Sequence, residues 1–274
     1  MTSDAVRISE RRTGKFGEKY YSGRPQQVLL RNWLSFKSSA WIAVISGFFE
    51  PVLYLLSFGY GIGELVGNIS TTTGNISYAA YIAPGLLATS AMNGAMFDST
   101  WNVFFKLNES RLYKAMLATS LGPLDVALGE IAWALMRGGI YATAFTLVLA
   151  GLGLVTSWSA LLAVPAAIIV AFGFASFGMA ITSYMKSHHQ MNFFEIFLLP
   201  MFLFSGAFYP LTVFPGWAQA IIKALPLGQG IELVTKAMAG NFGVGLLVNV
   251  TYFIVMICVG LFFTTRRLNA LFMR

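Results

Sequence analysis

The chain alternates between long stretches without a charged side chain and short clusters of charge. Residues 65–97, 138–185, 196–222 and 237–265 contain no Asp, Glu, Lys or Arg, and each is longer than the roughly 20 residues that one bilayer crossing requires. Breaks within these runs divide them further. Gly151, Gly153 and the Thr156–Ser159 cluster split the longest into two. The pattern predicts six apolar spans, at about residues 40–62, 78–104, 124–149, 160–184, 192–207 and 243–265. Between the fifth and sixth, Pro210 and Pro215, then Pro226 and Gly228, cut the chain into pieces too short to cross. This stretch, about residues 208–240, is predicted to dip into the outer face of a membrane and return. Broken backbone at that depth has to be buried in protein or line a wet cavity.

Ahead of the spans the pattern is different. Residues 1–22 mix charge with Ser, Thr and Gly, which is too little apolar content to pack, and read as a cytosolic tail. In residues 23–38, Val28, Leu29, Trp33, Leu34 and Phe36 can share a helical face, with Arg24, Arg31 and Lys37 elsewhere. That predicts an amphipathic helix lying along the membrane interface. The expected fold is therefore all-α and integral to the membrane: an interfacial helix, then a domain at 39–265 with six transmembrane helices and a re-entrant hairpin, and a cytosolic C-terminus at 266–274.

Composition agrees, with 57% apolar and 11% charged residues, against about 25% charged in a typical soluble domain. The net charge of +7 is better explained by orientation than by nucleic acid, because the cations cluster at span ends. Arg7, Arg11, Arg12, Lys15, Lys19, Arg24, Arg31, Lys37, Lys106, Arg111, Lys114, Lys186, Arg266, Arg267 and Arg274 fall on one side, and Lys223 and Lys236 on the other. The positive-inside rule then places both termini in the cytosol. The single cysteine, Cys258, lies in an apolar run and offers no disulfide framework.

Candidate chemistry is sparse. The one Gly-Lys pair, Gly14-Lys15, lacks the remaining elements of a P-loop, so no nucleotide site is expected. His188 and His189 are adjacent rather than i, i+4, and no metal site is expected. Without a nucleophile and base, the chain is not expected to be an enzyme. The informative residues are charges at membrane depth, where an unpaired charge costs several kcal/mol (about 2.5–3.5 on insertion scales). Glu50 and Arg137 lie at comparable depth and are expected to pair, as a structural ion pair or as part of a pathway. Asp98, Glu130 and Glu195 lie nearer the cytosolic ends, within reach of water.

Three phrases carry a resemblance. Residues 81–93 (Tyr-Ile-Ala-Pro-Gly-Leu-Leu-Ala-Thr-Ser-Ala-Met-Asn), 113–121 and 125–133 are similar to ABC-2 type exporter permeases of the nodulation-factor, or lipo-oligosaccharide, branch. The segment from Phe204 through Tyr209-Pro210, Pro215-Gly216-Trp217 and Leu225-Pro226 to Glu232 resembles the re-entrant hairpin of that family. Daunorubicin-resistance permeases share that hairpin, so drug efflux stays open as an alternative. One departure is Thr235-Lys236, where relatives commonly have arginine after the glutamate. The resemblance implies a half-transporter: two permease copies as a homodimer, and two separate ATPase subunits that hold ATP and Mg, with no cofactor on the permease. It implies ATPase docking at Glu109, Arg111, Tyr113 and Lys114. A pathway or gate would involve Glu50, Arg137, Phe208, Tyr209, Trp217 and Glu232. The substrate would be an amphiphile drawn from membrane lipid, such as a lipid-linked oligosaccharide. A proton-coupled transporter working through Glu50 is the competing class.

Overall fold

The computed structural model describes residues 21–37, 49–71, 74–155 and 158–272. Residues 1–20 of the predicted tail and residues 40–48 of the first predicted span lie outside the described residues.

Helix α1, Pro25–Phe36, begins with proline at its first position, where the missing N–H would have had no partner. Its apolar residues do not share one face. Val28 is buried against α5, while Leu30, Trp33 and Leu34 are exposed. The approach depends on Gly129 of α5, where an added Cβ would stand 2.5 Å from the Val28 Cβ and 2.8 Å from the Pro25 carbonyl.

The chain is helical again over residues 49–66 (α2), with a π-helical middle at Leu55–Ile62 and an α-helical end at Gly63–Val66. The connection to the second predicted span has no predicted element. It is a two-stranded antiparallel hairpin, β1 (Asn68–Thr71) and β2 (Gly74–Ser77), with Ile69 paired to Ile76. Four-residue polar strands leave no alternation long enough to show in sequence.

Helix α3, Tyr78–Phe97, is capped by the Ser77 hydroxyl, which accepts from the Ala80 amide at 3.3 Å. It is the centre of the bundle, packed against α2, α5, α6 and α9 and buried around its circumference. The helix does not stop near residue 104. It runs on through π-helical turns at Asp98–Asn102 and Phe105–Glu109, then breaks at Arg111, the one described non-glycine residue with a left-handed backbone (φ 50°). Helix α4, Leu112–Leu117, leads to α5, Pro123–Gly151. A 3-10 turn at Trp158–Leu162 opens α6, Ala163–Tyr184. Then come α7 (His188–Leu203), α8 (Gly216–Ala224), α9 (Pro226–Met238) and α10 (Val244–Phe272).

Among the described residues, three helical stretches are long and apolar enough to cross a membrane: Pro123–Gly151, Trp158–Tyr184 and Val244–Leu271. Helix α10 continues seven residues past its predicted end, so Arg266 and Arg267 are helical. Between α7 and α10 the chain is broken as expected. At about 1.5 Å per residue, α8 and α9 are each shorter than a bilayer core of about 30 Å. Leu227, Gly230, Leu233, Val234 and Ala237 form a buried stripe at helical spacing, and α9 packs with it against α3, α6 and α10.

Candidate functional site

Among the described residues, buried charge gathers where α1, α3 and α5 meet. On the continuation of α3, Asp98, Asn102 and Lys106 recur every four residues; on α5, Glu130, Arg137 and Tyr141 lie at i, i+7 and i+11. Both spacings put their members on one helical face, and the two stripes oppose each other over roughly 12 Å of helix. At one end, Arg137 bridges to Asp98 at 2.6 Å and donates from Nε to the Tyr141 hydroxyl at 3.2 Å. Asn102 donates to the same Asp98 oxygen at 2.6 Å. The Arg137 guanidinium also sits over the rings of Phe36 (5.6 Å) and Tyr141 (5.5 Å).

At the other end, Lys106 bridges to Glu130 at 2.6 Å. Asn32 of α1 donates to the same carboxylate oxygen at 3.0 Å, and its own carbonyl accepts from Lys106 and Arg31. The seam thus holds two carboxylates and two cations, each paired, as burial of charge demands.

This overturns the expected Glu50–Arg137 pair. Glu50 is exposed beside Tyr54 on α2, and Arg137 belongs to Asp98. The position of a residue along the chain does not show which helices lie side by side or which of their faces meet. Nor do Asp98 and Glu130 reach water, being 4% and 5% exposed. The Glu195 side chain lies outside the described residues. The missed partners, Asn32, Asn102 and Tyr141, had a signal in the i, i+4 and i+7 spacing of polar residues within apolar runs.

The expected docking residues separate into two groups. Arg111 and Lys114 are exposed. Glu109 is half-exposed and meets His188 at 2.5 Å, and the His188 ring also stacks near Trp101 and Phe104. That contact ties the end of α3 to the start of α7. Tyr113, by contrast, is 0% exposed, which corrects its assignment to the surface. Burial, and then the negative charge of Glu130, push its phenol well above the ordinary tyrosine range, so it stays neutral. It props α4 from beneath.

Next to this loop, Asp125 is fully buried and accepts three backbone amides, from Ser22 (2.6 Å), Arg24 (2.8 Å) and Gly122 (2.9 Å). One carboxylate thereby fixes the chain ahead of α1 and the start of α5 together. The Arg24 guanidinium adds a bond to the Ser120 hydroxyl at 3.1 Å. Beside this clamp a polar cleft of about 360 Å³ opens between Arg24, Gln26, Gln27, Thr119, Ser120 and Leu121.

At the opposite end, Phe208 is buried in a ring cluster with Tyr54, Phe58 and Phe202, at centroid distances of 5.1–6.5 Å. The Phe208 carbonyl accepts from the Tyr78 hydroxyl at 3.2 Å. Gly85 of α3 lets this segment approach closely: a Cβ there would lie 2.9 Å from the Ala207 Cα. Tyr209 and Trp217 are exposed, Trp217 at 71%. Glu232 pairs one turn on with Lys236 at 2.6 Å, and Lys236 reaches the buried Asn249 of α10 at 3.1 Å. Asn249 in turn donates to Gln229 at 2.6 Å. Lysine at 236 therefore serves Glu232 and α10 at once. Glu50 adjoins the Phe208 cluster through Tyr54, whereas Arg137 is held apart from both, in the seam. Among the described residues no three His, Cys, Asp or Glu side chains converge on a metal position.

Residues 26–239 match the ABC-2 type transporter family. The proteins named Nodulation protein J from Rhizobium leguminosarum bv. viciae and Sinorhizobium fredii are 36% and 33% identical to this chain. The alignments cover 77% and 81% of this chain and 80% and 83% of those proteins. A third, from Bradyrhizobium diazoefficiens, is 30% identical over 76% of this chain and 78% of its own length. The matched region runs from the first described helix to the end of α9 and takes in the polar seam, the Asp125 carboxylate and most of the broken segment between α7 and α10. With its apolar helices and this match, the chain belongs to the ABC-2 type transporter family as a membrane-spanning permease.

Proposed function

We propose that this chain is the permease subunit of an ATP-driven exporter that carries a lipid-linked oligosaccharide or similar amphiphile out of the cytoplasmic membrane. Family membership supports transport with a separate ATPase. The observation that carries the coupling is the frame formed by α1, α4 and the start of α5. Asp125 and the Lys106–Glu130–Asn32 network bind α1, the end of α3 and the start of α5 into one body, and the buried Tyr113 seats α4 on it, with Arg111 and Lys114 on its open surface. A push on that surface would travel along the seam into α3 and α5 rather than be lost in loop motion. This end is read as cytosolic from its basic residues.

Two copies would form the pathway, each contributing the segment between α7 and α10 as an outer gate. Phe208 anchors that gate from within, while Tyr209 and Trp217 are exposed near its mouth and can meet substrate. The name shared by the relatives favours a nodulation-type lipo-oligosaccharide over a drug as cargo.

The test is co-purification of the permease with the ABC ATPase encoded beside it, in wild type and in Arg111→Glu/Lys114→Glu. Both side chains are exposed, so folding should survive the change. A stoichiometric complex that the double variant loses supports the reading and locates the docking surface. A complex that survives removes these two residues from the interface. Failure of any ATPase to associate under mild extraction overturns ATP-driven export and moves proton-coupled transport through Glu50 forward.

A further inference from the structure

Between the first residues of α5 and the end of α10 lies a cavity of about 420 Å³, lined by Leu124, Leu261, Phe262, Thr265, Arg266 and Asn269. This is within the range of ligand pockets, about 300–1,000 Å³. Its wall is almost wholly apolar, with one cation at the rim. The two adjacent arginines of α10 behave differently. Arg267 is committed: it donates to the Ser183 carbonyl at 3.3 Å and covers the Tyr184 ring at 5.0 Å. Arg266 is exposed, and no described carboxylate lies within 4 Å of it. Asp125 follows Leu124 in sequence, but its oxygens are taken by three backbone amides. Inside the wall, the Thr265 hydroxyl oxygen is buried without a hydrogen-bond partner among the described residues.

An apolar cleft with an uncompensated guanidinium at its mouth is complementary to an amphiphile with an anionic head. We propose that it binds an anionic phospholipid of the cytosolic leaflet, one acyl chain in the cavity and the phosphate on Arg266. The leaflet rests on the orientation given above. Basic pockets between membrane helices on the cytosolic side take such headgroups, and arginine offers a bidentate match to phosphate. A second copy of the chain is a poorer occupant. Residues 266–274 contain no Asp or Glu, so a symmetric contact here would set Arg266 against its own counterpart and bury an unpaired charge.

Delipidated permease, without any ATPase, is titrated with dioleoylphosphatidylglycerol or dioleoylphosphatidylcholine and the bound lipid counted by native mass spectrometry. The first site of the wild type should prefer phosphatidylglycerol by about five-fold, the factor expected for one cationic side chain at an anionic surface. Arg266→Gln should abolish the preference. Lys186→Gln, an equal loss of charge at an exposed position on the same side, should keep it. Thr265→Phe, which fills the cavity and leaves Arg266 in place, should lower occupancy by both lipids. No preference in the wild type, or a preference that survives in Arg266→Gln, overturns the proposal. Unchanged lipid counts in Thr265→Phe do the same. A shift from dimer to monomer in Arg266→Gln with unchanged lipid counts would assign the cavity to a subunit interface instead. Because the readout contains no ATPase, loss of this site leaves the exporter reading standing, and loss of ATPase association leaves the site standing.

Discussion

Asp98→Asn tests whether the seam between α3 and α5 is an electrostatic device or only a polar contact. The change is nearly isosteric. The amide oxygen can keep the position that accepts from Arg137 and Asn102, both at 2.6 Å, so what disappears is the charge. Asp98 and Arg137 side chains are 3% and 13% exposed. Their gross attraction at an effective dielectric of about 20 is roughly 6 kcal/mol, much of it offset by desolvation. Removing one member leaves the other buried and unpaired, which costs about 3–5 kcal/mol. Arg137 retains Tyr141 and the face of Phe36, which argues for the low end, about 3 kcal/mol. At roughly 2 °C per kcal/mol for a chain of this size, the thermal midpoint of the detergent-solubilised permease should fall by about 6 °C. Asp98→Asn/Arg137→Met removes both charges and should recover at least half of that loss, although it forfeits cation–π contacts worth about 0.5–2 kcal/mol. A double variant as unstable as the sum of the two single changes would refute the reasoning, as would an Asp98→Asn protein that melts with the wild type.

Three further outcomes follow from single contacts. Gly129→Ala places a methyl against Val28 and the Pro25 carbonyl; overpacking of this kind costs about 1–3 kcal/mol. Val28→Ala in the same chain should restore part of the thermal midpoint. Asp125→Ala removes the acceptor for three amides, with an expected loss of at least about 2 kcal/mol. Hydrogen exchange at residues 22, 24 and 122 should accelerate before the rest of the bundle. Tyr113 is held neutral in the fold, whereas the unfolded phenol ionises near pH 10. Its raised value contributes stability that is complete below pH 10 and falls as pH rises above it. The wild-type midpoint should therefore drop in alkali more steeply than that of Tyr113→Phe, which should otherwise bind the ATPase normally; equal slopes would place Tyr113 outside the core.

The sequence alone determined what depends on length and on the count of apolar residues. Charge-free runs marked the long helices α5, α6 and α10, and Pro210, Pro215 and Pro226 marked the broken segment between α7 and α10, because proline removes a donor wherever it falls. The cluster of cations at residues 106–114 marked a polar connection for the same kind of local reason. Only the tertiary structure decided which charges meet. Arg137 meets Asp98 and not Glu50, because each residue turns a helix by about 100° and the packing of α3 against α5 selects the face that carries Asp98. The same holds for Tyr113. Its neighbours in sequence are exposed and charged, yet one side of a six-residue helix faces inward, and packing chose that side for the phenol. Pairings between distant residues are set by how helices are rotated against one another, and that rotation is fixed by the sum of their contacts rather than by any one stretch of chain.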